Sequence, residues 1–292
     1  MSTPFITIMG PNPFHDAPAV HSHRNCAYCH RFGRCEFNRL QQCGRCHLAF
    51  YCVRIVLVFA SSQLGSPILK KNQSKECQQS HWPEHKISCK ATMVLNKEVE
   101  EKAGIPQGYT DFAQWVEYYS TPMKNCMVAA LNLLHFPHQE RDSALAIQIT
   151  HKGDATLPVQ HRFIIDTINR HNRGEDGFTS TELVRRLDSE ATKKTIEFGK
   201  KEKGSDYYGT LMFMVIAVFS QDPMVSIPIF KYFSIDKSVA SARVIHGPWW
   251  PPLRHILENG KKMKFCCRKI EGVGCCCGGW VHEDAMKGDA WR

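Results

Sequence analysis

The sequence contains no uninterrupted apolar stretch that could cross a lipid bilayer. Its longest apolar runs cover residues 211–219 and 55–60, whereas a membrane-spanning helix needs about 20 apolar residues. Residues 1–20 also lack the basic start and the long apolar segment of a secretory signal peptide. We therefore expect a chain that neither inserts into a membrane nor enters the secretory pathway.

Motifs of the common enzyme sites are also absent. The sequence has no nucleophile elbow and no glycine-rich phosphate loop. His151, Asp154 and His161 fall on a predicted hairpin and could form an acid–base set, but polar residues at strand ends usually form turns. We therefore keep an enzyme of unknown class in residues 104–292 as the alternative to the interaction function that is derived below.

Cysteine is abundant, with 14 residues in 292, but the chain is too long for a small disulfide-stapled domain. Two C-x2-C pairs, two single cysteines, a histidine and a last cysteine stand at metal-ligand spacing. These eight residues are Cys26, Cys29, Cys43, Cys46, Cys52, Cys77, His85 and Cys89. Eight such ligands make two closed tetrahedral sites, which are structural rather than catalytic. Thiolate ligands predict a reducing compartment, the nucleus or the cytoplasm.

The residues around these ligands resemble a MYND-type zinc finger. Tyr51-Cys52, Cys77-Gln78 and the segment Trp82-Pro83-Glu84-His85-Lys86 match the family's Y-C-x3-C-Q and W-x2-H-K motifs. The resemblance implies two Zn²⁺ ions in a cross-brace. One ion would be held by Cys26, Cys29, Cys52 and Cys77, and the other by Cys43, Cys46, His85 and Cys89. Residues 90–292 resemble, more loosely, the second domain of fungal MYND-finger proteins. One enzyme class with a MYND finger is the SET-and-MYND methyltransferases. Their Asn-His-Ser-Cys-type motif is missing here, so the sequence argues against this class.

An insertion at residues 53–73 departs from the family pattern. The family has three residues between the fifth and sixth ligands, and this chain has 24. Removing 53–73 joins Cys52 to Ser74 and restores the motif without adjustment. The codons of Val53 and Arg54 can supply the nucleotides with which an intron begins, and a Gln73 codon can supply those with which it ends. We therefore favour a translated intron over a surface loop.

The resemblance also implies a function in protein–protein interaction. MYND fingers bind short proline-containing peptides, often in transcriptional regulators, and Ser74, Gln78 and Trp82 stand at the matching positions of this chain. Gln78 and Trp82 are four residues apart, so they share one face if the segment is helical. Trp82 could instead form the small core of the finger, and both interpretations stay open.

Positive charge is concentrated on the finger. The chain carries a net charge of +9, and residues 26–89 contain nine Lys and Arg against three Glu, a net charge of +6. Such a surface can contact nucleic acid. However, seven thiolates around two Zn²⁺ ions carry a net charge of −3, which neighbouring basic residues would balance. A peptide is therefore favoured over nucleic acid as the partner.

The expected fold class is α+β: a small two-zinc finger followed by a mixed helix and antiparallel-sheet domain. Residues 1–25, with four prolines, predict a flexible tail, residues 26–89 the finger, and residues 90–292 the second domain. Periodicity predicts helices at 90–103, 111–119, 123–134 and 180–198. It predicts strands at 144–150, 161–167, 232–235, 264–269 and 279–282, and 211–219 is a buried strand or helix.

A cysteine cluster near the end of the sequence is a candidate third metal site. Its members are Cys266, Cys267, Cys275, Cys276, Cys277 and His282. Adjacent residues of a strand point to opposite faces, so at most alternate cysteines could converge on one ion. We therefore favour ordinary core packing at this cluster over a third zinc.

Overall fold

The computed structural model describes residues 40–58, 68–73, 75–133, 135–174, 178–240 and 250–260. These residues divide into two compact units, one up to Val94 and the other from Leu95 onwards. The division falls inside helix α1 (Lys75–Ala103), and the domain limits inferred from the sequence stay a prediction. None of the helices described is long and apolar enough to span a membrane.

The first unit contains a three-stranded sheet in the order β1-β2-β3. Its strands are β1 (Leu40–Gln42), β2 (Phe50–Val58) and β3 (Ile68–Gln73), and both pairs are antiparallel. The insertion forms the second pair. Its first residue, Val53, pairs with its last residue, Gln73. Because antiparallel partners lie about 5 Å apart, the two ends of the insertion are side by side.

Helix α1 carries the last ligand candidates of the finger. The predicted helix at 90–103 is confirmed, but it begins 15 residues earlier, at Lys75, and contains Pro83. It ends where Gly104 takes a positive φ of 69° and donates its N–H to the carbonyl oxygen of Glu100, as expected for a glycine after a helix. Cys77, His85 and Cys89 therefore all lie on one continuous helix.

Two short helices form the interior of the second unit. They are α2 (Gly108–Tyr118) and α3 (Ser120–Leu131), close to the predicted limits. The predicted apolar face of α2 is fully buried, and it consists of Phe112, Trp115, Val116 and Tyr119. The predicted end of α3 at residue 134 was wrong. The helix ends at Leu131 because Asn132 adopts the left-handed conformation, with φ 45°, which asparagine tolerates.

The second unit is built on a four-stranded sheet in the order β5-β4-β6-β7. The strands are β4 (Ser143–His151), β5 (Phe163–Asn172), β6 (Tyr207–Gln221) and β7 (Met224–Asp236). The predicted pairing of β4 with β5 is confirmed. The sheet is not wholly antiparallel as predicted, because β4 and β6 run parallel. This parallel pair needs a long crossover, which β5 and two helices supply.

Helices cover both faces of this sheet. The crossover helices α4 (Phe178–Leu187) and α5 (Glu190–Lys203) replace the single helix predicted at 180–198. The break comes at Ser189, whose side chain accepts a hydrogen bond from the Thr192 N–H, a typical N-cap. Leu183 of α4 packs on one face with Ala144, Ala146, Met212 and Met214. Helix α2 covers the opposite face, where Phe112 lies edge-on to Phe219.

Two further helices follow β7. They are α6 (Lys237–Ala240) and α7 (Trp250–Glu258). The sequence analysis predicted no helix at α7, which contains two consecutive prolines. Pro251 and Pro252 occupy its first turn, where a missing N–H costs no helical hydrogen bond. The predicted tail at 1–25, the strands at 264–269 and 279–282, and the cluster from Cys266 to His282 lie outside the described residues.

Candidate metal centre

The turn between β1 and β2 presents two of the predicted ligands. Cys43 and Cys46 lie on this turn, which closes where the Cys43 N–H donates to the Ala49 carbonyl oxygen at 2.8 Å. His47 follows in the left-handed conformation, with φ 55°, and its N–H donates to the Cys43 carbonyl oxygen at 3.0 Å. This reversal of the chain brings both cysteine side chains into the interior of the unit.

Helix α1 presents the other two ligands of the same cluster. His85 and Cys89 are four residues apart, so they lie on one face of the helix, one turn from each other. Four ligand atoms from the turn and the helix lie within 4.8 Å of one another, those of Cys43, Cys46, His85 and Cys89. All four residues are buried, with at most 4% of their surface exposed.

The distances within this cluster fit a tetrahedral zinc ion. The sulfurs of Cys43 and Cys89 lie 4.0 Å apart, and the Cys46 sulfur lies 3.6 Å from His85 Nε2. A zinc ion about 2.3 Å from each sulfur has ligand–ligand distances of about 3.8 Å. Three thiols and one imidazole in a tetrahedral set are the ligands that zinc prefers. The cluster could therefore hold one metal ion with little rearrangement.

Backbone N–H groups of the turn are directed at its sulfurs. Burial acts to raise the pKa of Cys43, but hydrogen bonds from the N–H groups of Cys46 and Arg45 outweigh it and leave this pKa below its usual value. The N–H groups of Leu48 and Ala49 donate to the Cys46 sulfur in the same way, although burial still raises that pKa. Such donors stabilise a thiolate, the form that binds metal.

Without a bound metal ion, the two candidate ligands of this cluster on α1, His85 and Cys89, are uncharged at neutral pH. Burial, with smaller effects of the Cys46 and Cys43 side chains, raises the pKa of Cys89 to about 12. Burial also lowers the pKa of His85 to about 4, with a smaller effect of His81. The neutral imidazole keeps a lone pair for a metal, whereas Cys89 would release its proton on binding one.

Three aromatic rings surround His85. The His81 ring stacks on it at 5.6 Å and 23°, and the Tyr51 ring meets it edge-on at 5.9 Å and 79°. Trp82 lies 6.0 Å away with a tilted ring. The Tyr51 hydroxyl lies 3.2 Å from His81 Nδ1. The sequence analysis missed Tyr51 and His81 as supporting residues, although His81 lies midway between Cys77 and His85 on one helical face.

The other four predicted ligands are placed only in part. Cys77 is half-buried on α1, and Cys52 lies on β2, where its side chain is not described. Cys26 and Cys29 lie outside the described residues. The parts of the chain described here thus assemble one four-ligand cluster, and the second metal site stays a prediction.

An open cleft lies beside the cluster and contains two of the predicted peptide-binding residues. Its volume is about 380 Å³, and it is lined by Cys43, Gly44, Arg45, Gln78, Gln79 and Trp82. Trp82 is half-buried, so one part of its surface faces solvent. Ser74, the third predicted residue, lies outside the described part of the chain. Arg45 was not predicted, because a residue inside a C-x2-C pair has no helical or strand period to mark it.

The suggested acid–base residues of the second unit have local structural contacts. Nε2 of the buried His151 lies 3.4 Å from Oδ2 of Asp111, and its Nδ1 accepts a hydrogen bond from the Gly153 N–H at 2.9 Å. Asp154 accepts a hydrogen bond from the Thr156 N–H at 2.8 Å in an exposed turn. His151 and Asp154 thus stabilise the first part of the connection between β4 and β5.

No family model matches this chain, and no curated protein or solved structure matches it either. The interpretation of the site therefore depends on its own geometry.

Proposed function

We propose that residues 26–89 form a MYND-type finger that holds two Zn²⁺ ions and binds short proline-containing peptides of other proteins. The buried cluster of Cys43, Cys46, His85 and Cys89 is the observation that carries this proposal. Its four members are the same four that the family resemblance pairs in one site. A closed site of this kind stabilises the fold and leaves binding to the surface around it.

The adjacent cleft is the proposed peptide site. Gln78 and Trp82 line it together, one helical turn apart. An indole can stack on a proline ring, and a side-chain amide can hydrogen-bond the backbone that an extended proline-containing segment leaves exposed. Because thiolate ligands need a reducing environment, the proposed location is the nucleus or the cytoplasm, in a transcriptional or regulatory adaptor.

Metal content tests the first half of this proposal. The purified chain should contain two zinc ions, Cys43→Ser should retain one, and Cys29→Ser should retain the other. Cys126→Ser is the matched control, because Cys126 is a buried cysteine of α3 outside the finger. A metal content near zero in the wild type would rule out the finger, and a content near three would point to the cluster from Cys266 to His282.

Peptide titration tests the second half. A labelled Pro-Ser-Leu-Ser-Pro peptide should bind the wild type, and Trp82→Ala should weaken it about 30-fold, since aromatic hot spots contribute about 2 kcal/mol. Trp250→Ala is the control, because Trp250 is an exposed indole on α7. Both zinc ions should remain in Trp82→Ala. Loss of zinc from that variant would instead assign Trp82 to the core of the finger.

A further inference from the structure

The cleft has a positively charged wall. Arg45 lies on the turn between Cys43 and Cys46, and its guanidinium carbon lies 6.0 Å from the centre of the Trp82 ring. The backbone of Arg45 is fixed, because its N–H donates to the Cys43 sulfur. The side chain is exposed. A cationic side chain on the turn therefore lies over the indole ring, and both groups line the cleft.

Arg45 has no anionic partner among the described residues. The acidic residues of the nearby helix are exposed, and Glu84 is directed at His81, with 3.9 Å between the carboxylate oxygen and Nε2. The cleft is also lined by the neutral amides of Gln78 and Gln79, by the Trp82 indole, and by Cys43, whose sulfur belongs to the four-ligand cluster. A guanidinium has five N–H donors in a plane, which suit the two oxygens of a carboxylate. The described part of the chain therefore leaves these donors to a ligand in the cleft.

We propose that Arg45 binds a carboxylate, so that the preferred ligand is a proline-containing peptide with Asp or Glu beside the proline segment. This inference depends on the peptide-binding function proposed above. The proline segment would lie on Trp82, and the acidic residue would lie against Arg45. Arg45 is then a specificity-determining residue of the cleft, and Trp82 supplies binding energy that is independent of charge.

A nucleic acid is the less suitable anionic ligand for this cleft. Phosphate-backbone binding gains its strength from several Lys and Arg contacts at once, and one arginine beside two neutral amides offers a single contact. Arg45 could also balance the net charge of −1 on a site with three thiolates, one imidazole and Zn²⁺. The experiment separates both of these roles from peptide recognition.

Three labelled peptides test the inference on the full chain. They contain Pro-Ser-Leu-Ser-Pro flanked on each side by two Glu, two Gln or two Lys residues. We expect the wild type to bind the Glu peptide about three- to fivefold more tightly than the Gln peptide, as for an exposed ion pair. High salt should remove this preference. Arg45→Gln should abolish it, and Arg45→Glu should reverse it in favour of the Lys peptide.

Lys86→Gln is the matched control. Lys86 is an exposed basic residue on α1, the helix that carries Trp82, but it does not line the cleft. It should keep the preference for the Glu peptide. Equal binding of the Glu and Gln peptides to the wild type would overturn the inference and leave the peptide-binding function standing. Binding of none of the peptides would overturn both. Loss of zinc from Arg45→Gln would show that Arg45 supports the metal site. Displacement of the peptide by an equal concentration of duplex DNA would show that Arg45 binds nucleic acid.

Discussion

At the scale of single residues, the position of His85 depends on rings that do not bind the metal themselves. Tyr51 is buried, and its hydroxyl holds His81, which in turn stacks on His85. Groups that fix the orientation of a metal ligand raise the affinity of the site for its metal. If the cluster holds a metal, we therefore expect the Tyr51 hydroxyl to contribute to its affinity through one intermediate ring.

Tyr51→Phe should weaken zinc binding about two- to tenfold. This is less than the 10- to 100-fold typical when a direct hydrogen-bond partner of a ligand is lost, because the phenyl ring still packs edge-on against His85. Competition with a coloured chelator would measure the change. Tyr118→Phe serves as the control, since the Tyr118 hydroxyl donates to the Gly260 carbonyl in the second unit. Unchanged zinc affinity in Tyr51→Phe would show that ring packing alone holds His85.

At the scale of elements, the two ends of the insertion form an antiparallel strand pair that continues the sheet of the first unit. Its strands pair from Val53 with Gln73 to Val58 with Ile68, so the chain enters and leaves it at neighbouring points. This geometry explains how the four ligands described here can meet on a chain that carries the insertion. The same geometry is compatible with removal of residues 53–73, because the two points of the chain that must then be joined already lie close together.

Deletion of residues 53–73 should keep both zinc ions and raise the melting temperature by a few degrees. Lengthening this connection from three to 24 residues is three doublings, which cost about 1.8 kcal/mol of loop closure, and an isolated hairpin recovers little of this. A variant in which Asn-Gly replaces residues 59–67 is the control, because it keeps the two strands. A lower melting temperature in the deletion than in this control would show that the hairpin stabilises the finger.

Transcript sequencing tests the origin of the insertion. If the segment is a translated intron, mature messages without it should be found. Presence of the segment in every mature message would contradict the intron hypothesis and favour a surface hairpin of the native finger.

At the scale of the whole molecule, the two units draw their stability from different sources. The described part of the first unit has a small core around the metal cluster, whereas the second has a sheet with apolar side chains on both faces, including Phe213 and Met214. Structural zinc contributes about 10–16 kcal/mol that is coupled to folding. Removal of metal should therefore affect the first unit far more than the second.

Chelation should unfold the first unit and leave the second folded. Hydrogen exchange can locate the boundary, because helix α1 extends across both units. We expect amides from Cys77 to Val94 to lose protection and amides of β4 and β6 to keep it. Addition of zinc should restore the original pattern. Loss of protection in β6 on chelation would show that the two units fold as one.

The sequence by itself determined the local features of this protein. Ligand spacing gave eight candidate ligands before any fold was known, and the resemblance to MYND fingers grouped Cys43, Cys46, His85 and Cys89 among them. The same is true of α2, whose period placed Phe112 and Trp115 on a buried face. The sequence could not decide whether residues 211–219 form a strand or a helix, since a segment buried on all sides has no polar period.

Tertiary structure decided which distant residues meet. It made β6 a central strand, paired with β4 and β7, and most of its residues are buried because helices cover both faces of the sheet. It also brought Arg45 of a turn to Trp82 of a helix and stacked His81 on His85 beneath Tyr51. The spacing of residues in the sequence shows which side chains are neighbours within one helix, strand or turn. Contacts between elements depend instead on how separate segments pack, and this packing is a property of the whole folded unit.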